Sequence, residues 1–329
     1  MKVLIVGAGV IGSFNAARLK DGGVDVTLLA RGRRLAELQE FGVVLEDAFK
    51  GHRSVTRVPL VDRIAPETDY DLAIVIVRRN QIASVLPMLA HNHKIPTVLF
   101  LGNNAGGQAD LIAALGRERV LIGMVNAGGE RQGHVVRYIY TRRLPLVLSE
   151  LDDRPSPRVE AIVRLFKNAG LNARLATNID ALQKTHAAGL PGLAGALYMC
   201  GGDIRRLAHT PALLRLYVQS YREALRALRK IGVPILPRTM RLIEWTPVPL
   251  LVLALRLFFD TNLAVVGGQR HANAAPDEMK EMADEFRAIM RRAGIPCPAS
   301  DILFPETDKR CNAAGQAPSP PSTQTRGAA

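Results

Sequence analysis

The first thirty residues contain a glycine-rich turn between an apolar strand and a helix. Lys2–Val6 (KVLIV) is an apolar run, and Gly7, Gly9 and Gly12 follow it in G-x-G-x-x-G order. Here the first glycine permits a tight turn, the second lets the backbone approach a pyrophosphate, and the third lets the helix pack closely on the strand. We therefore predict a dinucleotide site whose contacts come from this turn, namely Gly7, Gly9, Val10, Ile11 and Gly12.

The segments that follow complete a βαβ unit. Residues 10–19 are predicted to form an amphipathic helix, Gly22 and Gly23 end it, and residues 24–30 (VDVTLLA) supply a second strand. The alternative, a glycine-rich turn that binds nothing, does not require this order of elements.

The second strand ends in arginines and in no acidic residue. An acid at this place accepts hydrogen bonds from the adenosine ribose, whereas arginine accommodates a 2′-phosphate. Arg31, followed by Arg33 and Arg34, therefore favours NADP over NAD. Arg78, at the end of the β-branched segment 71–77, is a second candidate because ligands gather at the carboxyl ends of parallel strands. The alternative for these arginines is a solvated basic turn.

The pattern of elements predicts two domains in the 329 residues. We expect an α/β dinucleotide-binding (Rossmann) domain over residues 1–177, an all-helical domain over 178–308 and a flexible tail over 309–329, which is rich in Ala, Pro, Ser and Gly. Residues 135–140 and 144–148 are predicted to form antiparallel edge strands. Helices are predicted over 179–189, 212–231, 237–261 and 276–293.

Charge and cysteine content limit the other functions. The net charge is +13, but the basic residues are scattered pairs with little aromatic interleaving, which argues against nucleic acid and favours phosphorylated cofactors. Cys200, Cys297 and Cys311 lack the spacing of a disulfide framework or a metal site, so we predict no metal and a cytoplasmic location. Residues 248–259 are too short to span a membrane and are predicted to form a buried helix; a helix at a membrane surface is the alternative.

A second loop has the composition of a ligand-binding loop. The predicted strand 97–101 runs into Gly102-Asn103-Asn104, followed by Ala105 and two glycines. Glycines let the backbone pass close to a nicotinamide ring, and the Asn103 side chain offers both a donor and an acceptor. An ordinary turn is the alternative.

Six stretches of this sequence together resemble the ketopantoate reductase (2-dehydropantoate 2-reductase) family over about residues 1–305. They are GAGVIG at 7–12, LLARG with Arg31, the strand end at Arg78, LGNNAG with Asn103, IDALQKTHA with Lys184, and PDEMKEMADEFRAIMRRAGIPCP with Glu278.

The resemblance implies an NADPH-dependent reduction of a 2-oxo acid to a 2-hydroxy acid, as in pantothenate biosynthesis, by a homodimer. It makes Lys184 the group that protonates the carbonyl oxygen, and Asn103 a residue beside the nicotinamide. Glu278 is implied to hold the substrate hydroxyl, and a carboxylate near Lys184 would keep the ammonium protonated. Arg31 and Arg78 match the 2′-phosphate ligands. Hydride addition leaves charge on the oxygen, so the chemistry requires such a proton donor.

The sequence departs from the family where the substrate is held. Ala188 and Gly192 stand where asparagines are usual, and Val265 and Val266 stand near the usual serine. The missing donors leave open a less polar ketone as substrate, or a catalytically silent NADP-binding sensor. His186, His271 and Asn273 are candidates for replacement contacts.

Overall fold

The computed structural model describes residues 1–125 and 127–316. Within these residues, both strands and helices occur as far as Leu175, and helices alone follow from Ile179, on either side of the predicted boundary at 177. The predicted fold class is confirmed: an α/β amino-terminal part precedes a helical part. The strands are β1 Lys2–Val6, β2 Asp25–Leu29, β3 Val43–Asp47, β4 Arg53–Thr56, β5 Leu60–Val61, β6 Leu72–Val75, β7 Val98–Leu101, β8 Val120–Met124, β9 Ala127–Gln132, β10 Val135–Tyr140, β11 Leu146–Ser149 and β12 Ala173–Leu175.

The main sheet places β1 at its topological switch point. Its order is β12-β11-β8-β7-β6-β1-β2-β5, and only the β8–β11 pair is antiparallel. The chain leaves β1 toward β2 on one side and returns to β6 on the other, so a crevice opens at the carboxyl ends of these strands. The loops after β1, β6 and β7 carry the predicted residues Gly7, Arg78 and Asn103 to this edge.

The helices of the amino-terminal part are α1 Val10–Asp21, α2 Gly32–Phe41, α3 Ile82–His91, α4 Ala109–Leu115 and α5 Pro157–Asn168. In the helical part they are α6 Ile179–Ala187, α7 Leu190–Met199, α8 Ile204–Ala208, α9 Pro211–Lys230, α10 Leu242–Trp245, α11 Val248–Phe259, α12 Asn262–Ala264, α13 Arg270–Ala274, α14 Pro276–Ala293 and α15 Pro298–Gln316. Short 3₁₀ turns occupy Arg79–Gln81, Arg117–Arg119 and Arg238–Arg241, and a π-helical turn occupies Val265–Gln269.

A second sheet, in the order β4-β3-β10-β9, covers α1. The ring of Phe14 on α1 lies 4.9 Å from that of Tyr138 and 5.5 Å from that of Tyr140 on β10. The amphipathic character predicted for α1 is therefore wrong, because sheets cover it on two sides. The prediction of residues 135–140 and 144–148 as edge strands is also wrong. Strand β10 lies between β3 and the glycine-rich β9, and β11 lies between β8 and β12.

The flexible tail predicted to begin at residue 309 starts too early in the chain. Helix α15 continues through residues 309–316, so this stretch is helical, whereas the remainder, 317–329, lies outside the described residues. The helix is fixed from its start, where the buried Glu223 carboxylate accepts hydrogen bonds from the backbone N–H groups of Ala299 and Ser300 at 3.0 and 2.9 Å. Buried Leu303 and Phe304 pack α15 into the helical core, and alanines at 313 and 314 favour its continuation.

Helix α11 is not the buried helix predicted for residues 248–259. Of its residues Phe259 alone is fully buried, while Leu250, Leu253 and Leu257 expose 57, 52 and 66% of their surface. Among the described residues, no individual helix combines the length and apolar composition of a membrane span. The segments Arg238–Trp245 and Val248–Phe259 have that length and composition only when they are taken together, and the chain bends by 120° between the two segments.

Candidate active site at the carboxyl edge of the sheet

The three glycines of the first turn have separate structural roles. Gly7 has a φ of +112°, and a Cβ there would lie 2.3 Å from the carbonyl oxygen of Ile76. A Cβ on Gly12 would lie 1.8 Å from the carbonyl oxygen of Gly7, so α1 packs directly on the turn. A Cβ on Gly9 would meet no atom within 4 Å.

The start of α1 therefore fits a dinucleotide pyrophosphate. Gly9 caps the helix without a side-chain hydrogen bond, and the first turn, which includes Val10 and Ile11, has no acidic residue. Free backbone N–H groups and the positive end of the helix dipole favour an anion at this place. The space beside Gly9 leaves the backbone accessible to such a group.

The three arginines after β2 have different environments. Arg31 is exposed, and its guanidinium donates to the carbonyl oxygen of Asp62 at 3.2 Å. Arg33 is exposed and pairs with Glu37. Arg34 is buried and donates to the carbonyl oxygen of Ala8 and to other acceptors around α1, and burial lowers its pKa. Arg31 and Arg33 are thus accessible to a phosphate, whereas Arg34 holds the glycine turn in place.

Arg78 contacts the helical part of the chain. Its guanidinium lies 3.0 Å from an Asp277 carboxylate oxygen and donates to the carbonyl oxygen of Ala274 at 2.6 Å. Asn80 donates to the same carboxylate at 2.8 Å. Burial by itself would raise the pKa of Asp277. The Asn80 hydrogen bond, the Arg78 charge and backbone N–H groups outweigh this effect and hold the pKa below its usual value. A role for Arg78 as phosphate ligand stays a prediction, because these groups already engage its guanidinium.

Asn103 and Glu278 meet where the two parts of the chain face each other. Asn103, after β7, donates from Nδ2 to Oε1 of Glu278 at 3.4 Å, and Glu278, in the first turn of α14, is 4% exposed. His271 Nε2 lies 3.4 Å from the other carboxylate oxygen, Oε2. Within the described residues this buried Oε2 has no hydrogen-bond partner, so it retains an unused acceptor for a ligand hydroxyl.

Lys184 lies on α6, with 14% of its side chain exposed and its ammonium in an ion pair with Asp180 one turn earlier. Asp180 also accepts a hydrogen bond from Gln108 at 3.0 Å. The buried Gln183 donates to the carbonyl oxygens of Gly102 and Gly123, both at 3.1 Å. The helix that carries Lys184 is therefore held to the loop that carries Asn103. The carboxylate that contacts the ammonium comes from Asp180, on the same helix, and not from Glu278.

Local sequence explains how α6 begins at this point. Asn178 adopts a left-handed conformation with a φ of +54°, which asparagine tolerates better than most residues. Its side chain accepts a hydrogen bond from the N–H of Ala181 and so caps the helix. Asp153 accepts a further bond from the N–H of Ile179 at 3.2 Å.

His186 and His271 lie close enough to interact electrostatically. His186 is exposed, yet surrounding protein atoms lower its pKa through desolvation, and the charge of His271 lowers it further. The third residue considered, Asn273, donates to the carbonyl oxygen of Gly202 at 2.8 Å and supports the turn between α7 and α8.

Positions 188, 192 and 266 are buried in the helical part. Ala188 is 2% and Val266 8% exposed. A Cβ on Gly192 would lie 2.8 Å from Oγ of Ser220, so the missing side chain lets α7 approach α9. Val265, beside Val266 in the π-helical turn, is partly buried against the helical core.

The sequence did not identify the second pair of contacts that joins the two parts. Arg79 donates to Glu285 at 2.7 Å and to Asp110 at 2.9 Å, and Glu285 also accepts from the N–H of Ala105 at 2.9 Å. Arg79 and Glu285 expose 12 and 8% of their side chains. Burial would lower the pKa of Arg79, but the two carboxylates raise it above its usual value. Only the position of Glu285 two turns after Glu278 on α14 connects it in sequence with the site.

Among the described residues, no group of three or more His, Cys, Asp or Glu side chains is arranged to hold a metal ion. The three cysteines are free, with Cys200 and Cys297 buried. Burial raises the pKa of the Cys297 thiol to about 11.

Comparison with known proteins assigns the amino-terminal part. The family model of ketopantoate reductase PanE/ApbA matches residues 3–151. This region belongs to the ketopantoate reductase family. The family resemblance deduced from the sequence motifs is thereby confirmed.

Two curated relatives match part of the chain. The uncharacterized oxidoreductase YkpB of Bacillus subtilis is 24% identical over 55% of this chain and 59% of its own length. The 2-dehydropantoate 2-reductase of Archaeoglobus fulgidus is 28% identical over 54% of this chain and 57% of its own length. The matched region thus spans less than two thirds of either relative.

Solved structures share the fold over nearly the whole chain. The ternary structure of D-mandelate dehydrogenase with NADH and anilino(oxo)acetate has a TM-score of 0.76, is 18% identical and covers 96% of this chain and 99% of its own. The 2-dehydropantoate 2-reductase of Methylococcus capsulatus has a TM-score of 0.74, is 17% identical and covers 96% and 99%. At these identities the similarity shows the fold.

Proposed function

We propose that this protein is an NADPH-dependent reductase of a 2-oxo acid or a related small ketone. The observation that carries the proposal is the buried Glu278 carboxylate, which contacts Asn103 and keeps one oxygen without a hydrogen-bond partner among the described residues. Membership of residues 3–151 in the ketopantoate reductase family supports the same reaction class.

Separate residues bind the cofactor and donate the proton. Gly7, Gly9 and Gly12 shape the cofactor turn, and Arg31 is placed to bind a 2′-phosphate. A bound nicotinamide cofactor supplies the hydride. Lys184 stabilises the negative charge that develops on the carbonyl oxygen and donates the proton to it.

The remaining groups position the substrate and the proton donor. The carboxylate of Asp180 pairs with the ammonium of Lys184 and orients it. Glu278 accepts a hydrogen bond from a substrate hydroxyl through Oε2, which becomes accessible when the half-exposed imidazole of His271 moves aside. Asn103 fixes the other carboxylate oxygen and would border the nicotinamide ring of a bound cofactor.

The test is the Lys184→Ala variant. Its rate of NADPH oxidation with ketopantoate or another 2-oxo acid is expected to fall by about 10²- to 10⁴-fold, the usual contribution of a general acid. NADPH binding, measured by fluorescence, is expected to persist. The matched control is Lys167→Ala, which removes an exposed lysine from α5 and should keep the wild-type rate. An unchanged rate in Lys184→Ala would contradict the assignment of the proton donor.

A second candidate substrate is a carbonyl compound with an apolar substituent. It is favoured because Ala188, Gly192 and Val266 offer no polar side chain where the family usually has one. The fold is shared with D-mandelate dehydrogenase, whose structure holds anilino(oxo)acetate. A higher kcat/KM for phenylglyoxylate than for ketopantoate would support this candidate. NADPH binding without turnover on either compound, or on simple ketones, would instead indicate a silent sensor.

A further inference from the structure

The buried carboxylate of Glu278 has one oxygen that is held and one that is not. Nδ2 of Asn103 donates to Oε1 at 3.4 Å. Nε2 of His271 lies 3.4 Å from Oε2, yet this contact lacks the geometry of a hydrogen bond, and Oε2 has no hydrogen-bond partner among the described residues. A buried carboxylate oxygen is normally hydrogen-bonded. Oε2 therefore calls for a donor that a ligand can supply.

The imidazole of His271 borders the place where that donor must lie. A ligand atom that donates to Oε2 lies about 2.7 Å from it, and hence no more than about 6 Å from Nε2 of His271. The side chain of His271 is 41% exposed, so it is free to move relative to such a ligand. A ligand that uses Oε2 of Glu278 therefore also meets His271.

The backbone that carries His271 is fixed by two hydrogen bonds to α13. The hydroxyl group of Tyr198 donates to the carbonyl oxygen of Ala272 at 2.7 Å, and Arg78 donates to that of Ala274 at 2.6 Å. A movement of the imidazole is therefore a rotation of the side chain, while α13 keeps its place beside Glu278.

A hydroxyl group satisfies both atoms at once. It can donate to Oε2 of Glu278 while it accepts from Nε2–H of His271. With bonds of about 2.7 and 2.9 Å and a tetrahedral angle at the hydroxyl oxygen, Nε2 and Oε2 stand about 4.5 Å apart. From the observed 3.4 Å the imidazole reaches this separation by a movement of about 1 Å. A methyl group at this place would leave both atoms unpaired, and a carboxylate would be repelled by Glu278.

We propose that His271 determines specificity for 2-oxo acids that carry a hydroxyl group: its Nε2–H donates to the hydroxyl oxygen, and the hydroxyl donates to Oε2 of Glu278. This inference rests on the proposed function, since it defines the substrate class of the same site. His271 thereby supplies a polar contact to the substrate, which Ala188, Gly192 and Val266 do not offer.

Two substrates that differ in one hydroxyl group test this contact. Trimethylpyruvate is ketopantoate with a hydrogen atom in place of the hydroxyl group. With NADPH, the wild-type kcat/KM is expected to be at least about 100-fold higher for ketopantoate, because the analogue leaves buried polar groups unpaired. His271→Phe should reduce this preference about 10-fold and change kcat/KM for trimethylpyruvate by no more than about 3-fold, because only the hydroxyl contact is lost.

Two further variants separate the hydrogen bond from the shape of the side chain. His271→Gln keeps an N–H donor at similar reach and should retain most of the preference. His93→Phe changes an exposed histidine outside the candidate site and should keep the wild-type rates on both substrates. Circular dichroism and NADPH titration check that each variant folds and binds the cofactor.

The results distinguish this inference from the proposed function. A wild type that reduces both compounds without preferring ketopantoate would overturn the role of His271 and leave the reductase function intact. The same holds if folded His271→Phe keeps the full preference, or loses the same factor on both substrates. If the wild type binds NADPH but reduces neither compound, the proposed function itself is wrong, and this inference fails with it.

Discussion

Arg31, Arg33 and Arg34 show how strongly the role of a residue depends on its surroundings. All three follow β2 within a few positions, yet Arg34 is buried against α1 while Arg31 and Arg33 are exposed. A phosphate requires a guanidinium that is both placed at the strand end and free to move toward the ligand. Arg31 meets both conditions best, since its contacts are a carbonyl oxygen and a thioether and involve no carboxylate.

Replacement of Arg31 should change cofactor preference. Arg31→Ala is expected to raise the KM for NADPH about 10- to 100-fold, because a charge-assisted contact to the 2′-phosphate is worth roughly 1.5–3 kcal/mol. The KM for NADH, which lacks this phosphate, should change little. Steady-state kinetics with both cofactors measure the difference, and Arg63→Ala, an exposed arginine in the same region, is the matched control. Equal changes for both cofactors would refute the assignment.

His186 should make the stability of the fold depend on pH. Desolvation, and then the charge of His271, lower its pKa in the folded state below the usual 6.5. The unfolded chain therefore binds the proton more tightly, so the contribution to stability is complete above about pH 6.5 and is lost as the pH falls toward the folded-state pKa. Tm of the wild type should fall more between pH 7 and 5 than that of His186→Gln.

The control for this experiment is an exposed histidine outside the candidate site. His93→Gln changes an exposed histidine beyond the end of α3 and should keep the pH dependence of the wild type. Parallel Tm curves for the wild type and His186→Gln would show that His186 has no such effect.

At the scale of elements, the turn from β1 to α1 contains glycines in two different environments. Gly7 and Gly12 are required by contacts within the protein, whereas Gly9 borders open space. The two kinds of glycine should therefore respond differently to the same methyl group.

Gly12→Ala is expected to destabilise the fold by about 1–3 kcal/mol or more, because its Cβ would overlap the carbonyl oxygen of Gly7 and displace α1. Gly9→Ala should unfold like the wild type but bind NADPH more weakly, since its methyl group occupies the place of the pyrophosphate. Urea unfolding and NADPH titration separate the two effects. Wild-type NADPH affinity in Gly9→Ala would contradict a cofactor at this turn.

At the scale of the whole molecule, α14 connects the helical part to the main sheet. Its residues Asp277, Glu278 and Glu285 contact Arg78, Asn103 and Arg79 from the loops after β6 and β7. Glu278 is therefore positioned by ion pairs on both sides of it along the same helix. The geometry of the candidate site depends on how the two parts are held together.

Loss of the buried pair should weaken this connection. Arg79→Ala is expected to lower the free energy of unfolding by about 3–5 kcal/mol, because Glu285 would keep a buried charge without its partner. Arg33→Ala, which removes an exposed i,i+4 pair with Glu37, should cost at most about 0.5 kcal/mol. Urea denaturation of both variants measures the difference, and equal losses would show that Arg79 contributes no more than a surface charge.

Local signals in the sequence were sufficient to predict the glycine-rich turn and the change from an α/β part to a helical part. The glycine spacing, the β-branched strands and the helix over 276–293 depend on backbone conformation and on periodicity within one segment. Lys184 and Glu278 were found only through family motifs, since a single lysine or glutamate on a helix has no distinguishing local pattern. Asn103 was also indicated by the glycine and asparagine composition of its loop. Whether they act as proposed stays a prediction.

The sequence alone determined an α/β part with a glycine turn at its first strand, followed by helices, because short-range sterics and hydrophobic periodicity fix such elements. Only the tertiary structure decided that Asp180 pairs with Lys184, that Arg78 and Arg79 hold α14, that a second sheet covers α1, and that α11 exposes its leucines. Most of these features depend on contacts between residues far apart in the chain. Arg79 and Glu285, for example, are 206 positions apart. The sequence around a side chain does not indicate which distant residue it will contact.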